Sequence, residues 1–225
     1  MRVWGLFCLL FLLTGCLATA GVVGGVSASN IAKTDIDRVS DIHYREIQAS
    51  VRLLTEKLYR RNPREWKKGN AKTLEEAVAR VVDAGWRPPE LERRTEGAAI
   101  LVALSEDFRG DRVAAFVGGL SDMLHRAFNG KSEFFIMDDL NPQSIYNSAR
   151  NAEIAAWKLS SARVSGELLL LSNEMTPMQN LSFEREFGKI ISSLDTLSKI
   201  VADKTHRVVV KVLQSVATAV FLPIF

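Results

Sequence analysis

The stretch NPQSIYNSARNAEIAAWKL (residues 141–159) carries the clearest secondary-structure signal of the chain. Asn141 is a favoured N-cap residue, and Pro142 occupies the first helical position, where its missing amide hydrogen costs nothing. We therefore predict a helix that begins at Pro142 and continues toward Asn173. Its buried face repeats at spacings of four and three residues, the period of an amphipathic helix: Ile145, Ala149, Ala152, Ala156 and Leu159.

Apolar residues recur at helical spacing on both sides of this stretch. The first helix is expected to end at Asn62-Pro63, because a proline disfavours the helical conformation in the residue before it. Residues 73–76 (TLEE) have the pattern of a capping box, which marks a helix start. Further helices are predicted over residues 35–62, 73–85 and 113–130 and, after a second cap-and-proline pair at Thr176-Pro177, from Phe187 onwards.

Two short apolar stretches leave their structure open. Residues 97–104 (GAAILVAL) fit a helix or a strand, and residues 132–138 (SEFFIMD) fit a short strand or an apolar loop.

Gly118 and Gly119 lie inside a predicted helix, where they are expected to permit close approach of another helix. No internal repeat of about 20–50 residues occurs. The predicted fold class is all-α: a helical bundle of five to seven helices, with room for one short strand pair.

Residues 208–225 (VVVKVLQSVATAVFLPIF) are unusually apolar. Lys211, Gln214 and Pro223 interrupt the stretch too often for a clean membrane span. We expect a buried last helix here. Two alternatives stay open: the stretch docks on a bilayer, or it binds an envelope protein partner.

The N-terminus has the pattern of a secretion signal. Arg2 precedes the apolar residues 3–13 (VWGLFCLLFLL), a run well short of the about 17–25 residues that a membrane-spanning helix needs. The run leads into LTGC (residues 13–16), which resembles the lipobox of bacterial lipoproteins. The alternative is an ordinary secretory signal that is cut near residues 18–20 (ATA).

The lipobox resemblance implies a definite processing of the chain. Cleavage would fall between Gly15 and Cys16, the Cys16 sulfur would carry a diacylglycerol group, and the new amine would carry an N-acyl chain such as palmitate. Each buried methylene contributes about 0.8 kcal/mol, so two or three chains anchor a protein durably. The expected organisation is a signal peptide over residues 1–15, lipidated Cys16 with a flexible tether over residues 16–34, and a single helical domain over residues 35–225.

The same resemblance predicts a location. Leu17, rather than an aspartate, follows Cys16. In lipoproteins of enterobacterial type an aspartate there retains the protein in the inner membrane, so its absence implies a lipid-anchored outer-membrane protein that faces the periplasm. The membrane is then a partner through the lipid anchor. The body is also similar in type to uncharacterised lipoproteins of proteobacteria, a resemblance that carries no activity with it.

Composition restricts the remaining possibilities. Cys8 lies in the predicted signal and Cys16 is the predicted lipid site, and these are the two cysteines of the sequence. A mature chain is therefore expected to contain neither a disulfide nor a thiolate metal site. The 29 lysines and arginines nearly balance the 26 acidic residues, which gives no reason to expect a nucleic-acid partner. Apart from the covalent lipid we expect no cofactor.

Few residues have a pattern that predicts catalysis. The sequence contains no nucleophile elbow, phosphate-binding loop, dinucleotide fingerprint or calcium loop, and no histidine belongs to an H-E-x-x-H pattern. We therefore assign no catalytic residue and no metal ligand, and the sequence favours a non-enzymatic protein over an enzyme. The three isolated histidines are His43, His125 and His206.

One polar cluster still deserves testing: Glu133, Asp138 and Asp139, just before the helix that begins at Pro142. Acidic side chains at that place interact favourably with the positive end of a helix dipole. The alternative is a metal or general-base site, with His125 as a possible fourth member.

Three functions follow from these patterns. The first is a non-enzymatic envelope structural or partner-binding protein, which uses residues 208–225 to bind its partner. The second is a carrier of an apolar ligand or lipid between helices, lined by residues 168–171 and by the apolar C-terminal stretch. The third is a hydrolase of peptidoglycan or glycan that acts through the polar cluster.

Overall fold

The computed structural model describes residues 33–173 and 179–225. The predicted signal peptide, the lipobox, most of the tether and the Thr176-Pro177 pair lie outside the described residues. The described residues form seven α-helices, a short 3-10 turn over Pro89–Leu91 and one pair of two-residue strands. In chain order these are α1 (Asp35–Arg61), α2 (Pro63–Lys68), α3 (Leu74–Val82), α4 (Glu96–Ala103), α5 (Arg112–Ala127), α6 (Pro142–Ser161), β1 (Arg163–Val164), β2 (Glu167–Leu168) and α7 (Ser182–Thr205).

Four long helices pack in a ring around the core. α7 lies against both α1 and α6, and α5 closes the ring by contacting α1 and α6. The shorter α4 packs closely on α5, and α3 lies against both α1 and α5. Fully buried aromatic and aliphatic side chains fill the centre, where the rings of Phe116 and Phe187 meet edge to face with centroids 6.5 Å apart. The predicted all-α bundle is confirmed.

Local capping explains where the helices begin. Thr34 and Asp37 form a reciprocal capping box at the start of α1, and the helix ends at Arg61, directly before Asn62-Pro63. The Asn141 side chain accepts a hydrogen bond from the Gln143 main-chain nitrogen at 2.9 Å, with Pro142 as the first residue of α6. These predicted ends are confirmed because they depend on residues that are neighbours in sequence.

The small residues of α5 allow other elements to approach, as the sequence predicts. A Cβ atom at Gly119 would lie 2.4 Å from the Glu96 carbonyl oxygen, at the start of α4. At Gly118 a Cβ would lie 2.5 Å from the Arg87 side chain. Residues 97–104, left open by the sequence, fall mainly in the helix α4, which packs closely on α5.

The strand pair lies at an unexpected place. Residues 132–138 form an irregular loop, whereas β1 and β2 pair antiparallel within a stretch that was expected to continue the helix toward Asn173. The prediction that the helix continues toward Asn173 is wrong, because Ser165 (φ 52°) and Gly166 (φ 87°) both adopt left-handed backbone conformations. Two such residues form the tight turn that suits a hairpin, so α6 ends at Ser161.

The expected buried last helix is also wrong. α7 ends at Thr205, and His206 takes a left-handed conformation with φ 52°. We call residues 207–225 the C-terminal segment; it is non-helical and runs back over α6. β-Branched valines disfavour helix, and side chains of α6 supply hydrogen bonds to the backbone of this segment in place of helical ones.

Candidate binding surface of the C-terminal segment

An uncharged polar stripe runs along α6 beneath the C-terminal segment. Ser144, Asn147 and Asn151 are spaced by three and four residues and therefore lie along one helical face. Their exposed fractions are 0%, 4% and 1%. Buried polar groups need hydrogen-bond partners, and these three find theirs in the main chain of residues 222–225. We call Ser144, Asn147 and Asn151 the amide row.

Each member of the amide row contacts main-chain atoms. The Asn151 amide brackets Leu222: Nδ2 donates to the Leu222 carbonyl at 2.9 Å, and the Leu222 N–H donates to Oδ1 at 2.6 Å. Asn147 Nδ2 donates to the Pro223 carbonyl at 2.8 Å. The Ser144 hydroxyl donates to the Phe225 carbonyl and accepts from the Phe225 N–H, both at 3.1 Å.

A second bracket holds the beginning of the C-terminal segment. Gln143 Nε2 donates to the Val210 carbonyl at 3.1 Å, and the Val210 N–H donates to Gln143 Oε1 at 2.8 Å. Gln143 Nε2 also donates to Asn147 Oδ1 at 2.8 Å, which links this bracket to the amide row. The hydroxyl of Tyr146 accepts a hydrogen bond from the Val212 N–H at 3.3 Å. The segment is thus fixed at both ends through its backbone.

The side chains of the C-terminal segment divide into two groups. Ile224 and Ala219 are each 6% exposed, and the Phe221 ring lies directly against Gly97 of α4. Other side chains point into solvent, with exposed fractions of 88%, 67%, 97% and 69%: Val208, Val210, Leu213 and Val220. We call these four residues the apolar strip. Large apolar side chains presented on a fixed backbone are characteristic of interaction surfaces.

A cleft of about 900 Å³ lies between α6, α7 and the C-terminal segment. Its apolar lining includes Ile154, Ala202 and Val212, and basic and acidic side chains both border it. Arg150 donates to Asp195 at 2.8 Å and contacts Glu153 at 2.9 Å, while its buried Nε has no partner. The basic lining residues are Arg150, Lys199, His206, Arg207 and Lys211.

The predicted polar cluster does not converge on one point. Asp138 accepts hydrogen bonds from Lys131 and from the Phe135 N–H, and the Lys131 bond is the main reason that its pKa lies below the ordinary value. Asp139 instead pairs with Arg207 at 2.6 Å, an exposed ion pair at the start of the C-terminal segment. Glu133 is exposed. Within residues 33–173 and 179–225, no three or more His, Cys, Asp or Glu side chains group as metal ligands would.

The histidines have local surroundings of their own. His43 Nδ1 lies 2.6 Å from the Ser193 hydroxyl, across the contact between α1 and α7, and burial lowers the His43 pKa. His125 lies in the last turn of α5 and His206 caps α7.

A buried acid that the sequence did not single out caps α5. Asp111 accepts hydrogen bonds from the Ala114 N–H at 2.9 Å and from the Tyr59 hydroxyl at 2.8 Å. Burial raises the pKa of Asp111 to about 6, and the nearby Glu65 carboxylate adds to the rise. The position of Asp111, directly before a helical apolar stripe, is the N-cap signal that would have found it. The buried hydrogen bond between Tyr59 and Asp111 joins α1 to the start of α5.

The amide row was also missed, although its signal is visible in retrospect. Ser144, Asn147 and Asn151 form a helical stripe without charge, whereas a solvated helix face normally carries lysine, arginine or glutamate. Asparagine and serine are also poor helix formers, so several of them on one helix face need a separate explanation.

Fold and surface together define a helical bundle that carries its own extended C-terminal segment on one face. Searches for similar proteins returned no match among protein-family models, curated proteins or solved structures. Among the described helices, none has the length and apolar character needed to cross a membrane.

Proposed function

We propose that this protein is a lipid-anchored, non-enzymatic protein of the bacterial outer membrane, and that its periplasm-facing body binds an envelope protein through the apolar strip. The lipid anchor is supported by the lipobox resemblance at residues 13–16. Residues 17–34 span at most about 60 Å when fully extended, so such an anchor keeps the body near the bilayer.

The observation that carries the partner-binding proposal is the exposure of the apolar strip on a fixed backbone. Leu213 is 97% exposed, yet the chain on either side of it is fixed at Val210 and at Leu222. A surface that is already ordered loses less conformational entropy on binding than a flexible chain does. The side chains of the strip are aliphatic, which favours an apolar protein surface as the partner.

Site-specific photo-cross-linking in intact cells tests this binding. A photoreactive residue at position 213 of the full chain should yield a discrete adduct with one envelope protein. Met137 provides a matched control, because it is 90% exposed but lies in the loop before α6. The purified adduct partner should then bind the wild-type chain and lose binding to Leu213→Asp. Adducts with lipid alone, or equal adducts from both positions, would contradict the proposal.

Metabolic labelling with palmitate tests the anchor separately. The wild-type chain should incorporate label and fractionate with the outer membrane, and Cys16→Ser should do neither. Cys8→Ser is the control variant, because Cys8 is expected to leave with the signal peptide and its loss should preserve labelling. An unlabelled wild-type chain would refute lipidation whatever the cross-linking shows.

The cleft supports a second candidate, the carrier of an apolar ligand. Its volume of about 900 Å³ lies within the usual range of small-molecule sites. Acidic side chains also border it and pair with Arg150, so Lys199 and Lys211 are the cations that suit an amphiphile with an anionic head beside the apolar lining. Residues 168–171 take no part in this lining. Native mass spectrometry should then show a bound lipid-sized mass that Ile154→Trp removes by filling the cleft. A clean unliganded mass in repeated preparations would contradict this candidate.

A further inference from the structure

We infer that the amide row of α6 is a binding site for an extended polypeptide segment of another chain, and that residues 222–225 occupy this site in cis. The amide row contains no residue of the apolar strip, but the bracket at Leu222 also fixes one end of that strip, so release of residues 222–225 frees that end. Peptide binding tests the amide row, and cross-linking from position 213 tests the strip. Either proposal can therefore fail without the other.

The site recognises the backbone of its occupant. Asn151 uses its donor and its acceptor on a single residue, Leu222, so both main-chain groups of that residue are satisfied by one side chain. At the next position only the carbonyl is used, by Asn147. Proline lacks an amide hydrogen, so Pro223 fits there without leaving a donor unpaired.

The spacing of the amide row matches an extended chain. A helix rises about 1.5 Å per residue, so Asn151 and Ser144 are separated by about 10 Å along α6. An extended chain rises about 3.3 Å per residue, so Leu222 and Phe225 are separated by about the same distance. The two ends of the occupant therefore coincide with the two ends of the amide row, and the occupant runs antiparallel to the helix.

Two apolar anchors add a limited side-chain preference. Ile224 is 6% exposed, and Phe221 fills the space left by Gly97. The ligand class is consequently an extended peptide with apolar residues at the positions of Phe221 and Ile224. The contacts of Asn151 are to the backbone of Leu222, so Asn151 itself places no requirement on the half-buried side chain at that position.

The cis occupant is attached through an exposed connection. Residues 213–218 are all exposed, and the Gln214 side chain hydrogen-bonds both main-chain groups of Val220 to close a turn there. A tethered occupant acts at an effective concentration of the order of millimolar, so a second segment binds well only when the cis segment is released.

A cleavable version of the full chain tests the site. A protease recognition sequence is inserted between Leu213 and Gln214, the purified chain is cleaved in detergent, and release of the C-terminal fragment is followed by mass spectrometry. Helical circular dichroism checks that the cleaved chain stays folded. A fluorescent peptide of residues 217–225 is then titrated, and its binding is measured by anisotropy.

The cleaved chain should bind the peptide saturably, about 100-fold more tightly than the intact chain. N-methylation at Leu222 should weaken binding about tenfold, because it removes one bracketing bond and crowds the site, whereas Leu222→Ala in the peptide should change binding less than about threefold. Asn151→Ala in the protein should also cost about tenfold. Ser148→Ala is the matched control, because Ser148 is buried on the same helix but donates to Met123.

Three results would overturn the inference. The first is no peptide binding by a folded, cleaved chain, and the second is a fragment that excess peptide never displaces. The third is an equal loss from N-methylation and from Leu222→Ala, which would mean that the side chain is recognised.

If the cleaved chain unfolds, Phe221→Ala in the intact chain provides the test. That change weakens the cis occupant and should raise the affinity for the added peptide, whereas an unchanged or lower affinity counts against the site.

Discussion

Gly97→Ala is expected to destabilise the protein through a single contact with the C-terminal segment. A Cβ atom at position 97 would lie 2.5 Å from Phe221 Cδ2 and 2.6 Å from its Cγ, far inside ordinary contact distance. The Phe221 ring must therefore move by about 1 Å. Leu222 follows it directly, so the movement also disturbs the bracket made by Asn151.

Two opposing effects set the change in the free energy of unfolding that Gly97→Ala causes. Overpacking of this kind costs about 1–3 kcal/mol. Replacing a glycine in the middle of a helix by alanine gains about 0.5–1 kcal/mol, and Gly97, as the second residue of α4, should gain no more than the lower value. Gly97→Ala should thus lower the free energy of unfolding by about 1–2 kcal/mol. In a Phe221→Ala background the clash is absent, and the same change should raise the free energy of unfolding by about 0.5 kcal/mol. The sign of the effect therefore depends on the Phe221 ring.

Urea unfolding of the four chains, each without residues 1–16, measures this double-mutant cycle. The coupling between the two positions should be about 2 kcal/mol, because contacting residues are not additive. Hydrogen exchange at Leu222 adds a local readout: Gly97→Ala should accelerate it in the wild-type background and leave it unchanged in the Phe221→Ala background. Equal effects of Gly97→Ala in both backgrounds would show that the C-terminal segment does not lie against α4, and the placement of the segment would then be wrong.

Three further predictions concern buried groups. The pKa of Asp111 is raised from 3.8 to about 6, so the protonated carboxyl stabilises the fold below pH 4 and this contribution is lost as the pH rises through 6. Relative to Asp111→Asn, the free energy of unfolding of the wild-type chain should fall by about 3 kcal/mol across that window, as measured by urea titration at each pH. Glu186 should behave oppositely: burial raises its pKa, but hydrogen bonds from Lys189 and Lys57 outweigh burial and hold it below the ordinary value of 4.5. Glu186→Gln should therefore destabilise the chain at pH 7, and the difference should diminish as the pH falls below 4.5 and through the lowered pKa of Glu186. Gly119→Ala should lower the melting temperature by several degrees, because the obstructing Glu96 carbonyl belongs to the backbone and a side chain cannot move it aside; an unchanged melting temperature would contradict the close packing of α4 on α5.

Much of the bundle was predictable because its signals are local. The start of α6 depends on Asn141 and Pro142, and the end of α1 depends on the asparagine and proline that follow Arg61. The same reasoning failed beyond Ser161, where the Ser165-Gly166 turn outweighs the apolar residues that follow it. Turn residues were the relevant signal there, and periodicity alone did not contain it.

The C-terminal segment was not predictable from its own residues. Its composition suits burial, but a helix there would have satisfied its own backbone, and the observed extended path requires hydrogen-bond partners from elsewhere. Those partners are on α6, 71–81 residues earlier in the sequence. No local pattern within residues 208–225 reports the presence of Asn147 and Asn151.

The information that was missing from the C-terminal segment is present in α6. A helix that only had to pack on its neighbours would carry alanine or leucine at positions 144, 147 and 151, because those residues favour helix and leave no buried polar group. Buried polar residues at these positions need hydrogen-bond partners, and the main chain of residues 222–225 supplies most of them. The amide row therefore indicates that a stretch of extended chain lies on α6. The contact between Phe221 and Gly97 fixes the direction in which that stretch runs. An uncharged polar stripe on a predicted helix therefore indicates a surface that another segment of chain covers.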